Sequence, residues 1–415
     1  MKIIIISIVL LLILCSCTDK ATPENNITDG DADWHASKVD LSVIEANTAF
    51  ALDILKKLNG TEDENIFFSP LSLSIALSMT LIGAAGNTLA QMQDVLHFSD
   101  YTVAELNEQN QHLIRSLIDV DPSIDLGLAN SIWIKQNFPV KEDFILVNEA
   151  YYESQVFPDL PFNDDTVIAI NNWAEVQTNG RITDLVENID PSEVLFLINA
   201  IYFCADWTYS FNPDNTENDL FITADEIVVA PFMQSDGLDF TYLWDEDFSA
   251  ARLPYGNEDM AMYIFLPDYN IGLSDWIQNL DYDTLNDWFS GFAPLPENLE
   301  DGISFQLPSF TVSYNKCYEQ ILSELGMVDA FSSAADLSEL TDNSEELFIS
   351  KVKQNAWITV NEAGTEAAGA TLVGISFETI EYSFIAYRPF LYLIRDDRNG
   401  TILFIGIMHD PSQEQ

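Results

Sequence analysis

Apolar residues recur at helical spacing over 39–58, at Leu41, Ile44, Ala49, Leu52 and Leu55, and Gly60 marks the end of that run. Ile66, Phe67 and Phe68 read as a short strand. Ser69 can then cap a helix whose first turn holds Pro70, and the apolar positions Leu71, Ile75, Leu77 and Met79 carry it to Gly83. Asn87 and Thr88 open a further helix that reaches His97. Helical spacing also appears at about 101–118, 142–152, 166–178 and 315–325. Strand patterns occupy 126–134, 194–203, 260–266, 303–307, 382–384, 390–394 and 402–408, with a long one at 349–362. Long strands mixed with helices out of strict alternation predict an α+β fold with antiparallel sheets. No internal repeat and no Pro/Gly linker divides 39–412, which reads as a single domain.

Composition supports a large folded body: 8 Trp, 15 Tyr and 26 Phe argue against disorder. The formal net charge of −51 excludes nucleic acid and anionic lipid as partners bound through basic patches. Ahead of the body, Lys2 is followed by an apolar run over 3–14, the pattern of an export signal and too short for a comfortable membrane span. Leu14-Cys15-Ser16-Cys17 resembles a bacterial lipobox. That resemblance implies removal of 1–16, acyl chains on Cys17 and an exported lipoprotein held at a prokaryotic cell envelope. Residues 17–38 read as a flexible acidic tether with a reach of about 25 Å as a coil. Of the remaining cysteines, Cys204 and Cys317, two buried free thiols are expected rather than a disulfide.

No catalytic motif accompanies this body. The four histidines, His35, His97, His112 and His409, stand in no nucleophile or zinc motif, and Gly83-Ala84-Ala85-Gly86-Asn87-Thr88 lacks the lysine of a phosphate loop and reads as a tight turn between helices. The expectation is a protein that is not an enzyme and needs neither metal nor cofactor.

Six blocks, in order, resemble the serpin family over about 39–412. They are Asn65-Ile66-Phe67-Phe68-Ser69-Pro70-Leu71-Ser72 through Thr88; Asn172-Trp173 with Thr178-Asn179-Gly180-Arg181-Ile182; Asn199-Ala200-Ile201-Tyr202-Phe203 with Trp207 and Phe211; Leu325-Gly326-Met327 with Phe331-Ser332 and Ala335-Asp336-Leu337-Ser338; Val360-Asn361-Glu362-Ala363-Gly364-Thr365-Glu366-Ala367-Ala368-Gly369-Ala370-Thr371; and Arg388-Pro389-Phe390 with Phe404-Ile405-Gly406. The resemblance implies three β-sheets, about nine helices and an exposed reactive loop at about 363–385. It also implies suicide inhibition of serine endopeptidases, with cysteine endopeptidases as the second class. In that mechanism the protease cleaves the loop, stays acylated to it, and is carried away as the loop enters the large sheet; loop insertion of this kind is a known form of strand addition.

The loop chemistry agrees with insertion. A strand entering a sheet must bury alternate side chains. From Thr365 that parity gives Ala367, Gly369, Thr371, Val373, Ile375 and Phe377, none of them charged, while Glu366 and Glu378 fall on the other parity with Ala368 and Ala370. Gly364 supplies freedom to pivot. About a dozen new backbone hydrogen bonds at roughly 1 kcal/mol each amount to on the order of 10 kcal/mol. Family spacing from Gly364 and from Pro389 places the scissile bond at Glu378-Thr379, with Phe377 and Ile375 as alternatives. The corresponding targets are glutamyl-, chymotrypsin- or subtilisin-, and elastase-type proteases. By the resemblance, Ser69, Ser72 and Asn199 form the polar shutter under the sheet, Gln354 stands where the family usually has histidine, and Trp207 stands at the top of the sheet. The stretch 101–118 has Arg115 as its only Lys or Arg, so no heparin cofactor is expected. The expected form is a monomer. The alternative is a non-inhibitory serpin that acts as a binding or carrier protein.

Overall fold

A computed structural model describes residues 31–413 apart from 63, 119, 184, 191, 238, 297–298, 300–301, 344–346 and 366–382. Among the described residues there are ten α-helices: α1 (Asp31–Ala36), α2 (Leu41–Asn59), α3 (Pro70–Leu81), α4 (Gly86–Val95), α5 (Val103–Ser116), α6 (Glu142–Tyr152), α7 (Asp164–Gln177), α8 (Leu273–Gln278), α9 (Tyr282–Ser290) and α10 (Glu319–Leu325).

The strands form three sheets, as the resemblance implies. A seven-stranded sheet contains β1 (Ile66–Phe68), β7 (Thr241–Trp244), β8 (Phe248–Tyr255), β9 (Met260–Pro267), β10 (Ala293–Pro294), β16 (Phe390–Asp396) and β17 (Ile402–Met408), in the order β1-β17-β16-β9-β8-β7-β10. A four-stranded sheet contains β5 (Glu217–Ile222), β6 (Ile227–Ser235), β11 (Ser304–Pro308) and β15 (Ser383–Ile385), ordered β15-β11-β6-β5. The main sheet has six strands: β2 (Ile124–Lys135), β3 (Gln155–Leu160), β4 (Leu195–Asp206), β12 (Phe310–Cys317), β13 (Lys353–Val360) and β14 (Gly364–Thr365), ordered β12-β13-β14-β4-β2-β3.

Burial follows from the layering. Every residue of β9 and β17 is buried, so these strands read as unbroken apolar runs. β13 alternates, with Gln354, Ala356, Ile358 and Val360 turned inward. Beneath the main sheet lies α3, which is buried all round. Ser69 caps it as expected, its Oγ accepting the Ser72 N–H at 3.1 Å. Residues 82–85 turn between α3 and α4, while Gly86, Asn87 and Thr88, expected in the turn or at the helix start, are the first residues of α4; Gly86 takes φ +54°, a conformation that favours glycine.

Several expectations change. The strand pattern at 349–362 is a strand only over Lys353–Val360, because Asn361 begins a turn in which its N–H donates to Gly364 O at 2.9 Å. Residues 315–317, expected as helix, complete β12, and α10 starts at Glu319. Within the expected coil at 17–38, residues 31–36 are helical as α1 and pack on α5, and 37–38 form a turn; residues 1–30, with Cys15, Cys17 and the leader, lie outside the described residues. Cys204 and Cys317 form no disulfide with each other, but Cys204 is only half-buried and Cys317 is exposed. Period-2 alternation explains this: β12 turns Phe310, Val312 and Tyr314 inward, which puts Ser313, Asn315 and Cys317 outside.

Aromatic rings of the seven-stranded sheet pack tightly, with Phe203 of β4 and Phe310 of β12 reaching them from the main sheet. Phe67 stacks on Phe404 at 5.2 Å and on Tyr392 at 5.9 Å between ring centroids. Phe67→Ala should lower the unfolding free energy by about 3–5 kcal/mol, read from urea denaturation, and a loss below 1 kcal/mol would contradict this packing.

Candidate functional site: a slot in the main sheet

β4 and β13 are joined through β14, which is two residues long. Gly364 pairs with Asp206, and Thr365 pairs with Ala205 on one side and Val360 on the other, all antiparallel. Among the described residues no other pairing connects β4 to β13. Below this splice a cavity of about 410 Å³ separates the lower halves of the two strands. Leu195, Leu197 and Asn199 line it from β4, Val352 and Gln354 from the other side, and Leu73, Ala76 and Leu77 of α3 form its floor.

The splice is held by a cluster at its top. Trp207 donates its N–H to Ala363 O at 2.9 Å and Nε1–H to Asn361 O at 2.8 Å. Its ring stacks on Tyr255 at 4.5 Å, and the Tyr255 and Thr365 hydroxyls are 2.8 Å apart. Burial pushes the Tyr255 phenol far up, so it stays protonated. Phe211 N–H donates to Glu362 O at 2.9 Å, and Thr216 Oγ1 donates to the Glu362 carboxylate. Gly364 is required here for contact rather than for a special φ: a Cβ would stand 2.1 Å from Ala205 O. The pivot role expected from sequence is thus joined by a steric one.

Beneath the slot, polar side chains form a continuous line. Gln354 clasps Ser69, accepting its N–H and donating to its carbonyl, both at 2.9 Å. Ser69 Oγ donates to Leu403 O at 2.6 Å. Ser72 Oγ donates to Asn199 Oδ1, whose Nδ2 donates to Asn130 at 2.7 Å. Asn130 donates to Tyr152 O at 2.7 Å. The Tyr152 hydroxyl donates to Asn107 at 2.9 Å and accepts from Asn110 at 3.1 Å. This line runs from β13 across α3 to β4, β2, α6 and α5. Buried bonds of this kind can exchange partners when strands part, at modest net cost.

Ser69, Ser72, Asn199 and Gln354 are therefore brought together, and Gln354 fills its position with two hydrogen bonds. Trp207 bonds to Asn361 and Ala363 and stacks on Tyr255, the partner of Thr365, in a separate, upper cluster. Glu366, Ala367, Ala368, Gly369, Ala370, Thr371, Ile375, Phe377, Glu378 and Thr379 lie outside the described residues. Sequence reasoning missed Tyr255, Asn130, Tyr152, Asn107 and Asn110. For Asn130 the signal was an amide inside an apolar strand; the others had none. Arg115 of α5 pairs with Glu153 at 3.0 Å. Gln354→Ala would leave the buried Ser69 N–H without its partner. We expect about 1–3 kcal/mol of destabilisation in chemical denaturation, and an unchanged midpoint would contradict the clasp.

A family model described as "Serpin (serine protease inhibitor)" matches residues 45–411. The leukocyte elastase inhibitor of Sus scrofa is 34% identical over 380 residues, 88% of this chain and 98% of that protein. The native-state crystal structure of the thermophilic serpin tengpin has a TM-score of 0.79 at 31% identity, covering 90% of this chain and 95% of that one. Thyroxine-binding globulin in complex with thyroxine has a TM-score of 0.78 at 26% identity, covering 89% and 99%. Serpins are generally protease inhibitors, and some are non-inhibitory carriers. With its three sheets, its two-residue splice and a family match across nearly the whole body, this chain belongs to the serpin family.

Proposed function

We propose that this chain is an irreversible suicide-substrate inhibitor of serine endopeptidases, with cysteine endopeptidases as a second target class. The observation that carries this reading is the register of the splice. Continuing β14 downward keeps each pairing in step. Six residues on from Thr365 is Thr371; six back from Ala205 is Asn199; six back from Val360 is Gln354. Thr371 would arrive between the two amides of the shutter, with a hydroxyl that can donate and accept. Its inward neighbours Val373 and Ile375 would arrive over the apolar part of the cavity, each worth about 2 kcal/mol on burial. Ala205 and Val360 face inward, so Glu366 and Glu378 would face outward.

The register is fixed only where β4 and β13 are strand, which carries it to position 375 against Leu195 and to position 372 against Lys353. The cleaved bond is therefore taken from family spacing as Glu378-Thr379, with Phe377 and Ile375 as alternatives and with glutamyl-, chymotrypsin- or subtilisin-, and elastase-type proteases as the corresponding targets. The protease hydroxyl attacks the Glu378 carbonyl carbon. The bond to Thr379 breaks, its nitrogen leaves as a protonated amine, and an ester joins Glu378 to the enzyme. Insertion then draws that ester toward the lower end of the main sheet before water can resolve it.

The non-inhibitory reading is favoured only by the likeness to thyroxine-binding globulin, and it requires a loop that is cut without inserting. Export and anchoring through Cys17 rest on the 3–14 run and Leu14-Cys15-Ser16-Cys17; Cys17→Ala should abolish palmitate labelling and move the chain from the membrane to the soluble fraction.

Incubation with the four protease types should give a complex that survives boiling in detergent, with Thr379 as the new N-terminus. Thr371→Arg should cut the trapped fraction at least ten-fold and leave cleavage intact, because a charge would have to enter the buried face. Cleavage without a stable complex by all four types, and no rise in melting temperature, would overturn inhibition.

A further inference from the structure

The first described element, α1, is fastened to α5 by an unusual contact. His35 Nδ1 and His112 Nδ1 are 2.8 Å apart, with ring centroids 5.0 Å apart. Trp34 stands edge-on to both rings, at 4.7 and 5.5 Å, with Lys38 Nζ 5.4 Å from its own ring. A second fastening lies nearby. Arg398, in the turn between β16 and β17, donates to Asp33 at 3.1 Å, to Ser116 O at the end of α5 at 2.7 Å, and to fully buried Asp396 at 2.7 Å.

Two ring nitrogens at this distance can share one proton. If both rings are imidazolium, both nitrogens carry hydrogen and two positive rings face each other. We propose that α1 is a pH-sensitive latch, docked on α5 while at least one of His35 and His112 is neutral and released when acid protonates both. This inference does not depend on the inhibitory reading.

The surrounding charges agree with the direction. Burial, then Arg115 and Lys38, hold His112 below the usual histidine range, against the opposing pull of Glu108 and Asp40. Among the charged groups with described side chains nearby are also Asp33 and buried Asp396, both paired to Arg398, Glu105 of α5 in the Thr102 cap, and Glu153 of α6, paired to Arg115. Burial pushes the Asp396 carboxyl up while its bonds to Arg398 pull it down, so the two glutamine variants below, and not the pH change alone, assign the step to the histidines. The docked state disfavours the second proton. Docking is therefore at full strength above the free histidine value of about 6.5 and weakens as pH falls below it. Release has a structural consequence, because α5 carries Asn107 and Asn110, the end of the polar line under the main sheet.

Amide hydrogen exchange of the full chain, corrected for intrinsic rates, tests the latch. Protection over 31–40 should fall about ten-fold from pH 7.5 to 5.5, one proton lost over one effective unit. His112→Gln and His35→Gln should abolish the step. Asp33→Asn should lower protection equally at both pH values and keep the step. In the wild-type protein the ring signals of both histidines should titrate across the same pH interval as the step. A flat wild-type profile, a step that survives in both glutamine variants, or ring titrations outside that interval would overturn the proposal.

Discussion

One pairing decides what this molecule can do: Thr365 between Ala205 and Val360. β4 and β13 belong to the same sheet, yet among the described residues their hydrogen-bonding edges meet only through the two residues of β14. Elsewhere the main sheet is conventionally laddered, with β2 and β4 paired from Ile124–Ala205 to Ile134–Leu195. A sheet edge inside a protein is costly unless something completes it. The slot beneath the splice leaves β14 room to lengthen, and the segment that follows Thr365 has the side-chain parity to do so.

The elements around the slot suit that lengthening. Above it, Trp207 and Tyr255 hold the turn at 361–363 so that the chain enters the sheet at a fixed residue. Below it, the line from Gln354 to Asn110 replaces apolar packing with side chains that can exchange hydrogen-bond partners. An all-leucine layer there would seal the strands together. Amides and hydroxyls hold them with bonds of about 1 kcal/mol net, which under the proposed insertion Thr371 would re-form. Phe67, Tyr392 and Phe404 form a buried aromatic layer in the seven-stranded sheet.

Much of this was legible in the sequence, for stated reasons. The helices α2, α3 and α6 follow from 3.6-residue spacing and from Ser69-Pro70, and the strands β2, β4, β9, β16 and β17 from long apolar runs. The loop parity was readable because period 2 is exact enough over a dozen residues. The strands β5 to β8 were not foreseen: Glu217–Ile222 and Ile227–Ser235 leave Leu220, Ile227 and Val229 exposed, so neither shows a clean polar face. Cys317 was misjudged because three residues of strand were read as the start of a helix. Tyr255 was invisible because its partners lie far away in sequence, at Trp207 and Thr365. The shutter residues Ser69, Ser72, Asn199 and Gln354 came from family likeness; their hydrogen bonds, and the line's extension through Asn130 and Tyr152, needed three dimensions.

The most direct measurement is a crystal structure of the chain after cleavage in its loop. The account predicts that β14 lengthens from two residues into a full strand between β4 and β13, with Thr371 flanked by Asn199 and Gln354, and with Val373 and Ile375 over Leu73 and Leu77. A cleaved chain whose β14 stays two residues long, or one in which a different residue stands between Asn199 and Gln354, would contradict it.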